Sequence, residues 1–268
     1  MVLLREFRYQ SDKSKSHGND FPFNLPILNN FSSVLLSNVS IFIGENGTGK
    51  STLLEGLASK LNLQTLGESP IKTDPSLESA RRLSENIKLV WEKRTHRGFF
   101  MRAEDFFAYL KKIEIERNYN QNELKRIDDT YQDRSRMAKI LARGPFSSGL
   151  DQIKKSFGEN ADGESHGESF MSIFRRRFAP SGIYILDEPE AALSPISQLG
   201  LISLIKQAIN EGSQFILATH SPILMAIPKA NLFSCDNGSI NLISYEEAEH
   251  VALYKAFLSN PEQFLRRL

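Results

Sequence analysis

A short apolar run that opens into a glycine-rich loop constrains this chain more than any other feature. Residues 39–43 read Val-Ser-Ile-Phe-Ile, and residues 44–51 read Gly-Glu-Asn-Gly-Thr-Gly-Lys-Ser. The run predicts a buried strand, and apolar residues within 52–58 recur at helical spacing. The loop is therefore expected to join a strand to a helix. Glycines let several backbone N–H groups converge on one anion, and the helix N-terminus adds a positive field. The loop is therefore predicted to bind phosphate.

The residue types in this loop predict a nucleoside triphosphate with Mg²⁺. Lys50 is expected to reach the β- and γ-phosphates, and the Ser51 hydroxyl to be a metal ligand. An accidental glycine-rich turn is the alternative, but all four fixed positions of the GxxxxGK[ST] pattern are met. The nucleotide-binding residues predicted from the loop are Gly44, Glu45, Asn46, Gly47, Thr48, Gly49, Lys50, Ser51 and Thr52.

A second apolar strand, predicted over 183–186, ends in two adjacent acids followed by a proline. Ligands of open α/β sheets bind at the carboxyl ends of strands, which is where these acids fall. We expect Asp187 to belong to the Mg²⁺ shell and Glu188 to orient or deprotonate the attacking water. The alternative is a solvated turn after a strand.

A third apolar strand, predicted over 215–219, ends in His220. A helix is predicted over 196–210, and alternation of buried strands with helices implies right-handed crossovers and a mostly parallel sheet. His220 therefore falls at the same sheet edge as the acids, where it is expected to reach the γ-phosphate. The alternative is an ordinary hydrogen-bonded polar group.

The remaining pattern predicts strands, loops and helices around this core. Tyr9, Phe21 and Phe23 lie upstream of the loop as candidates for stacking on adenine, with ordinary packing as the alternative. The predicted elements are strands at 3–9, within 31–43, at 87–91, and two edge strands at 232–235 and 239–244; loops at 11–24 and 64–85; helices at 103–115, 118–143 and 171–178; a turn or loop at 144–149; and a helical tail at 245–268.

Composition bounds the class of protein. With 268 residues and 40% hydrophobic content, the chain can bury one substantial core with at most an appended subdomain. A net charge of +1 gives no global attraction to nucleic acid or anionic membranes. A single cysteine, Cys235, excludes an intramolecular disulfide and fits a reducing cytoplasm. Charged residues at the N-terminus and the lack of a long apolar run predict a soluble, cytoplasmic protein with no integral membrane segment.

The order of motifs resembles the ATP-binding-cassette ATPase superfamily, in particular the small, soluble bacterial AAA-type ATPases related to chromosome-maintenance and double-strand-break-repair ATPases. The resemblance identifies residues 44–51 as Walker A, 183–188 as Walker B with its catalytic Glu188, 191–194 as the D-loop and His220 as the switch histidine. It also identifies Ser165-His166-Gly167-Glu168 as the signature motif. The alternative from the residues alone is that Ser165 and Glu168 form a helix capping box.

What the resemblance implies is a P-loop NTPase of α/β class. Its mostly parallel sheet is flanked by helices, with an N-terminal antiparallel β portion and a helical subdomain inserted between Walker A and Walker B, at about 92–180 of a single domain spanning 1–268. It implies Mg²⁺-dependent hydrolysis of ATP to ADP and phosphate in a head-to-tail homodimer. In that dimer Ser165, Gly167 and Glu168 of one copy close over the nucleotide held by the other.

Two departures from the family pattern stand out. His166 replaces the glycine that usually follows the signature serine, and Arg102-Ala103-Glu104 occupies the region where a glutamine usually joins the two lobes. Several functions stay open: an ATP-switched module of a DNA-repair or anti-phage assembly with a protein partner, the ATPase subunit of a transporter, or a P-loop kinase. Nucleic acid stays open as a partner through basic patches at 111–112, 134–139 and 175–177, which neighbouring acids dilute.

Overall fold

The computed structural model describes residues 2–10, 20–66, 74–157 and 166–266. Within these ranges the strands are β1 (Leu4–Tyr9), β2 (Ser33–Leu35), β3 (Val39–Ile43), β4 (Gln64–Thr65), β5 (Ile87–Trp91), β6 (Gly98–Arg102), β7 (Ile183–Asp187), β8 (Gln214–Ala218), β9 (Asn231–Ser234) and β10 (Asn241–Ile243). The helices are α1 (Pro26–Asn29), α2 (Lys50–Leu61), α3 (Glu78–Glu85), α4 (Ala103–Thr130), α5 (Arg136–Phe157), α6 (His166–Arg177), α7 (Pro195–Asn210), α8 (Pro222–Met225), α9 (Glu249–Ser259) and α10 (Pro261–Leu265).

The main sheet of the described residues has the strand order β10-β9-β3-β8-β7-β6-β4. Every neighbouring pair is parallel except β9 with β10, which form an antiparallel hairpin. The predicted mostly parallel sheet is therefore confirmed. Of the two predicted edge strands, only β10 lies at the edge, because β9 also pairs with β3.

Alternation along the strands directs side chains into two separate cores. Phe42, Ile185 and Ile216 face α2, α3 and the N-terminal strands. Their neighbours, such as Ile41 and Tyr184, face α4 to α8. Both faces are covered, so β3, β7 and β8 are buried along their whole length and mostly apolar, with Ser40, Asp187 and Gln214 as buried polar exceptions.

The predicted N-terminal antiparallel portion is a sheet of β2, β1 and β5. It is joined to the main sheet by Gln214, whose side chain is fully buried at the start of β8. The amide N–H groups of Leu3 and Leu4 donate to its Oε1 at 3.2 and 2.8 Å. Its Nε2 donates to the carbonyls of Leu4 and Ser37 at 2.8 and 2.9 Å. One amide side chain thus satisfies four backbone groups between the two sheets.

Helices α4, α5 and α6 lie between β6 and β7, where a helical insertion was expected. Residues 98–102, inside the predicted insertion of 92–180, instead form β6 of the main sheet. That the rest is one domain with this insertion stays a prediction.

The predicted turn at 144–149 is wrong, because these residues lie inside α5. A Cβ at Gly149 would stand 2.8 Å from the Asn120 side chain. This glycine therefore serves close packing of α5 on α4, and the glycine-proline pattern misled the prediction. The chain reverses earlier, between α4 and α5, so the predicted helix over 118–143 is two helices.

The predicted loop at 64–85 is partly wrong. It contains β4, one turn of 3₁₀ helix at Pro75–Leu77, and α3, while residues 67–73 lie outside the described residues. A Cβ at Gly56 would meet Leu83 at 2.7 Å, so a glycine on α2 allows α3 to pack closely on it. The helical tail predicted over 245–268 is confirmed in part: α9 and α10 are helical, but residues 245–248 precede the helix and residues 267–268 lie outside the described residues.

Candidate functional site

The glycine-rich loop joins β3 to α2, as predicted. Gly44, Gly47 and Gly49 have φ values of +141°, +82° and +99°, a region that residues with a Cβ rarely adopt. The Lys50 ammonium is buried and donates to the carbonyls of Gly44 and Glu45, each at 2.7 Å. The loop thus closes around its own lysine, with the N-terminus of α2 directed into it.

Lys50 is cationic in an environment that disfavours its charge. Burial lowers the pKa of Lys50 below its ordinary value, and the nearby carboxylates of Glu188, Asp187 and Asp236 oppose that effect. The predicted acids therefore lie close enough to the loop to act on its lysine. Of the other predicted loop residues, Glu45 and Asn46 are exposed, while Thr48, Ser51 and Thr52 are half-buried.

Asp187 ends β7 beside the start of α2. Its carboxyl group is hydrogen-bonded to the Ser51 side chain. Its Oδ1 atom is buried and has no hydrogen-bond partner within the described residues. Burial raises the pKa of Asp187 to about 7, Glu188 and Glu55 adding to the effect while Ser51 and Lys50 oppose it. A buried oxygen without a partner is costly unless a cation or donor joins it.

These residues fit a Mg²⁺ ion that takes further ligands from phosphate and water. No group of three or more His, Cys, Asp or Glu side chains forms a metal site anywhere in the described ranges. Mg²⁺ differs from metals that need such cages, because it is commonly bound by one or two carboxylates together with substrate phosphates. The Ser51 hydroxyl and Asp187 Oδ1 are the oxygens that the chain supplies.

Glu188 and His220 face each other from the ends of β7 and β8. The Nε2 atom of His220 lies 3.7 Å from Glu188 Oε1. The Glu188 side chain is 43% exposed, so its carboxylate is accessible to a water molecule. Burial lowers the pKa of His220, and the positive charge of Lys50 adds to this, so the imidazole is neutral at neutral pH.

Three residues that the sequence pattern did not single out surround this pair. The backbone N–H of His220 donates to Glu190 Oε1 at 2.7 Å, and burial raises the pKa of Glu190. His220 Nδ1 lies 3.2 Å from Nε2 of His250 on α9. On the opposite side, Asp236 Oδ1 accepts from the Glu45 N–H at 3.0 Å. Glu190 follows the Asp-Glu pair closely in sequence, but nothing in the sequence connects His250 or Asp236 to the loop.

Arg102 ends β6 next to Asp187, with which it is in register. Its guanidinium binds both carboxylate oxygens of Asp105 in the first turn of α4, at 2.7 and 2.8 Å, and contacts Glu55 of α2 at 3.4 Å. Burial lowers the pKa of the Arg102 guanidinium, but the hydrogen bond to Asp105 and the negative charge of Asp105 outweigh it. The pKa of Arg102 is therefore above its ordinary value. An ionic network thus joins the helical insertion to the strand end beside the predicted metal ligand, where the family glutamine was expected.

The signature motif is only partly described. Ser165 lies outside the described residues, as do the side chains of His166 and Glu168; the backbone of residues 166–168 forms the first turn of α6. The structure therefore places residues 166–168 at the start of α6, and the role of the signature motif stays a prediction.

Two of the adenine-stacking candidates are core residues. Tyr9 is buried and stacks on Phe31 at 5.8 Å, and Phe23 is buried beneath the guanidinium of Arg82. Phe21 is 51% exposed, which leaves its ring accessible. Leu25, a little further along this segment, is within 3.3 Å of a Cβ built at Gly49, so the segment does approach the loop.

Comparison with known proteins gives two family matches. Residues 33–191 match the family model described as "ABC transporter", which is more than half of the chain. Residues 169–226 match a model described as "AAA domain, putative AbiEii toxin, Type IV TA system". None of the helices within the described ranges combines the length and apolar character needed to cross a bilayer.

The individual proteins that this chain resembles share between 13% and 28% of its residues over the aligned regions. The ABC transporter G family member STR2 of Medicago truncatula is 28% identical over 190 residues, covering 69% of this chain. The chain spans 24% of that relative's length. A nucleotide-free ATP-binding cassette from an ABC transporter aligns over 98% of this chain and 97% of its own, with 16% identity and a TM-score of 0.46. The Smc head domain bound to the C-terminal domain of ScpA, from Pyrococcus furiosus, aligns over 96% and 100%, with 13% identity and a TM-score of 0.41.

Proposed function

The chain belongs to the ABC transporter family, whose ATP-binding cassettes are P-loop ATPases, and we propose that it hydrolyses ATP with Mg²⁺ in a head-to-tail homodimer. The observation that carries the proposal is the arrangement at the sheet edge. The buried Lys50 converges there with Ser51 and with Oδ1 of Asp187, which has no hydrogen-bond partner among the residues that the structure describes. Glu188 and His220 lie beside them.

Each side chain has a role that its surroundings support. The three N–H donors of Lys50 bind the β- and γ-phosphates in exchange for the loop carbonyls. Ser51 and Asp187 hold Mg²⁺, which supplies charge neutralisation to the phosphates when bound. The accessible carboxylate of Glu188 orients and deprotonates the attacking water, and His220 Nε2 donates a hydrogen bond to the γ-phosphate.

One copy leaves the far side of the γ-phosphate to solvent. We propose that a second copy covers it with Ser165, the Gly167 N–H and the N-terminus of α6, adding donors where negative charge is concentrated. Glu168 belongs to the same helix start. Hydrolysis removes the shared phosphate and with it the contact that joins the copies, so the nucleotide cycle opens and closes the dimer.

Glu188→Gln tests the cycle. The amide keeps the shape of the side chain but cannot accept the proton of water, so turnover falls by about 10²-fold or more while ATP binding is kept. Size-exclusion chromatography with Mg²⁺ and ATP is expected to show a stable dimer of this variant, and Lys50→Ala a monomer. Turnover of Glu188→Gln at the rate of the unmodified protein would refute the assignment.

Mixing two inactive variants tests the shared site directly. Lys50→Ala chains lack the phosphate-binding lysine but keep an intact signature segment. Ser165→Arg chains keep the lysine but have a disrupted signature segment. A head-to-tail mixed dimer contains one complete site, so the mixture is expected to hydrolyse ATP although neither variant does alone. Full turnover by Ser165→Arg alone would mean that the site belongs to a single copy, and a mixture that stays as inactive as its two components would refute the shared site.

A second candidate function is an ATP-switched module that controls a partner protein, in which nucleotide state matters more than turnover. The match of residues 169–226 to a family described with a type IV TA system favours it. Fast basal hydrolysis by the isolated protein would argue against this function. Repeating the measurement with short duplex DNA tests nucleic acid as the partner. The similarity to an ABC transporter covers too little of that protein to favour a transporter subunit.

A further inference from the structure

A pair of histidines connects the nucleotide site to the C-terminal helices. Nδ1 of His220, at the end of β8, lies 3.2 Å from Nε2 of His250, in the first turn of α9. The two ring planes are inclined by 56° with their centres 5.2 Å apart, so the contact is made edge to edge through the nitrogens. His250 thus contacts the Nδ1 edge of the His220 ring, whereas Glu188 lies nearest to Nε2.

His250 is held in place by the residues on either side of it. Ala248 and Val251 are buried in the core that covers one face of the main sheet, at 0% and 1% exposure. The rest of α9, from residue 252 to 259, is exposed. The hydroxyl of Tyr245 donates to the Pro222 carbonyl at 3.2 Å, which fixes the chain just before the helix. The start of α9 is therefore anchored where His250 emerges.

The charges around His220 determine which of its nitrogens carries the proton. Neutral imidazole has one N–H, and burial keeps this ring neutral. Its Nε2 faces the Glu188 carboxylate at 3.7 Å, which favours a proton on Nε2. Nδ1 must then accept, so the ring N–H of His250 is the donor. Lys50 and Asp236 also act on the ring electrostatically, and Glu190 contacts only its backbone N–H.

We infer that His250 is a positioning residue that holds His220 in the tautomer with its proton on Nε2. In this state His220 can donate to a γ-phosphate oxygen, whereas the other tautomer would present a lone pair to the phosphate. The inference rests on the proposed function of His220. It also makes the placement of α9 a condition for turnover, because a shift of this helix would release the ring.

The kinetic test compares three substitutions on α9. His250→Ala is expected to lower kcat by about 10-fold with the Kd for ATP unchanged, because the ring loses its partner but the phosphate loop is untouched. His250→Gln is expected to recover most of kcat, since its amide N–H can donate in place of Nε2–H. Tyr254→Ala removes a larger, 52% exposed ring one turn further along the same helix and is expected to leave kcat unchanged.

Nitrogen NMR of the histidine rings gives an independent readout. At neutral pH the unmodified protein is expected to show His220 protonated at Nε2 only, and His250→Ala a mixture of both tautomers. An unchanged tautomer in His250→Ala, or an unchanged kcat, overturns the inference. Full turnover by His220→Ala would instead refute the proposed role of His220, which the NMR result does not depend on.

Discussion

Asp187→Asn gives the sharpest test of the electrostatics of this site. Burial raises the pKa of Asp187 from 3.8 to about 7, so the folded protein binds a proton more tightly than the unfolded chain. For a raised carboxyl pKa the penalty to stability is absent below the unfolded pKa, grows as pH rises towards the folded pKa, and is complete above it. Three pKa units at about 1.4 kcal/mol each correspond to about 4 kcal/mol at pH 8, against about 2 kcal/mol at pH 5.

Asparagine has the same shape and no charge, so it removes this penalty. We define the margin as the free energy of unfolding of Asp187→Asn minus that of the unmodified protein. This margin is expected to be about 2 kcal/mol larger at pH 8 than at pH 5. Comparing margins cancels any pH-independent cost of the new amide. Urea unfolding without nucleotide or metal, extrapolated linearly, measures it.

Two outcomes would refute this reasoning. One is a margin that does not change with pH, and the other is a margin that narrows as pH rises. Asp151→Asn, at an exposed position of α5, is the matched control for the same chemical change made away from the site. Adding Mg²⁺ and ATP is expected to stabilise the unmodified protein but not Asp187→Asn, because a ligand stabilises only the state that binds it.

Three further substitutions test the fold around the site by urea unfolding. Gln214→Leu leaves the backbone groups of Leu3, Leu4 and Ser37 without their side-chain partner and is expected to cost about 3 kcal/mol; a loss below about 1 kcal/mol would mean that those groups find other partners. Gly98→Ala would set a Cβ 1.7 Å from the Ile183 carbonyl oxygen at φ +131°, so a loss of more than about 3 kcal/mol is expected, and an unchanged midpoint would contradict the strand pairing. Arg102→Met removes a guanidinium that is 10% exposed from the half-buried carboxylates of Asp105 and Glu55 and is expected to cost about 3 kcal/mol, whereas Arg126→Met, whose guanidinium is 73% exposed, is expected to cost less than about 0.5 kcal/mol; equal losses would refute the burial argument.

The sheet-edge residues were predictable because of strand polarity. Apolar runs that end in Asp187, Glu188 and His220, with helices between them, form parallel strands whose carboxyl ends share one edge. That edge also receives the loop after β3, so Lys50 meets the acids although more than a hundred residues separate them in sequence. Local pattern and chain direction were sufficient here.

Other features depend on tertiary contacts that no local pattern reports. His250 and Asp236 look like surface residues of the C-terminal segment, and only the pairing of β9 with β3 and the anchoring of α9 bring them to the site. Gly149 has the pattern of a turn but serves helix packing against Asn120. Secondary-structure propensity cannot tell a glycine in a turn from a glycine at a helix–helix contact, because the contact depends on an element that is distant in sequence.

The backbone at Glu188 has φ +50° and ψ +51°, the left-handed region that a side chain with a Cβ enters at a cost of about 1 kcal/mol. The Glu188 N–H donates to the Ala218 carbonyl at 2.9 Å, and this bond to the next strand holds the chain in the bend. Glycine at this position is expected to remove that strain and raise stability, and under the proposed mechanism it also removes the carboxylate that activates water. Selection for thermal stability alone is therefore expected to favour substitutions that remove the carboxylate at this position. Such a selection has to be combined with a measurement of ATP hydrolysis.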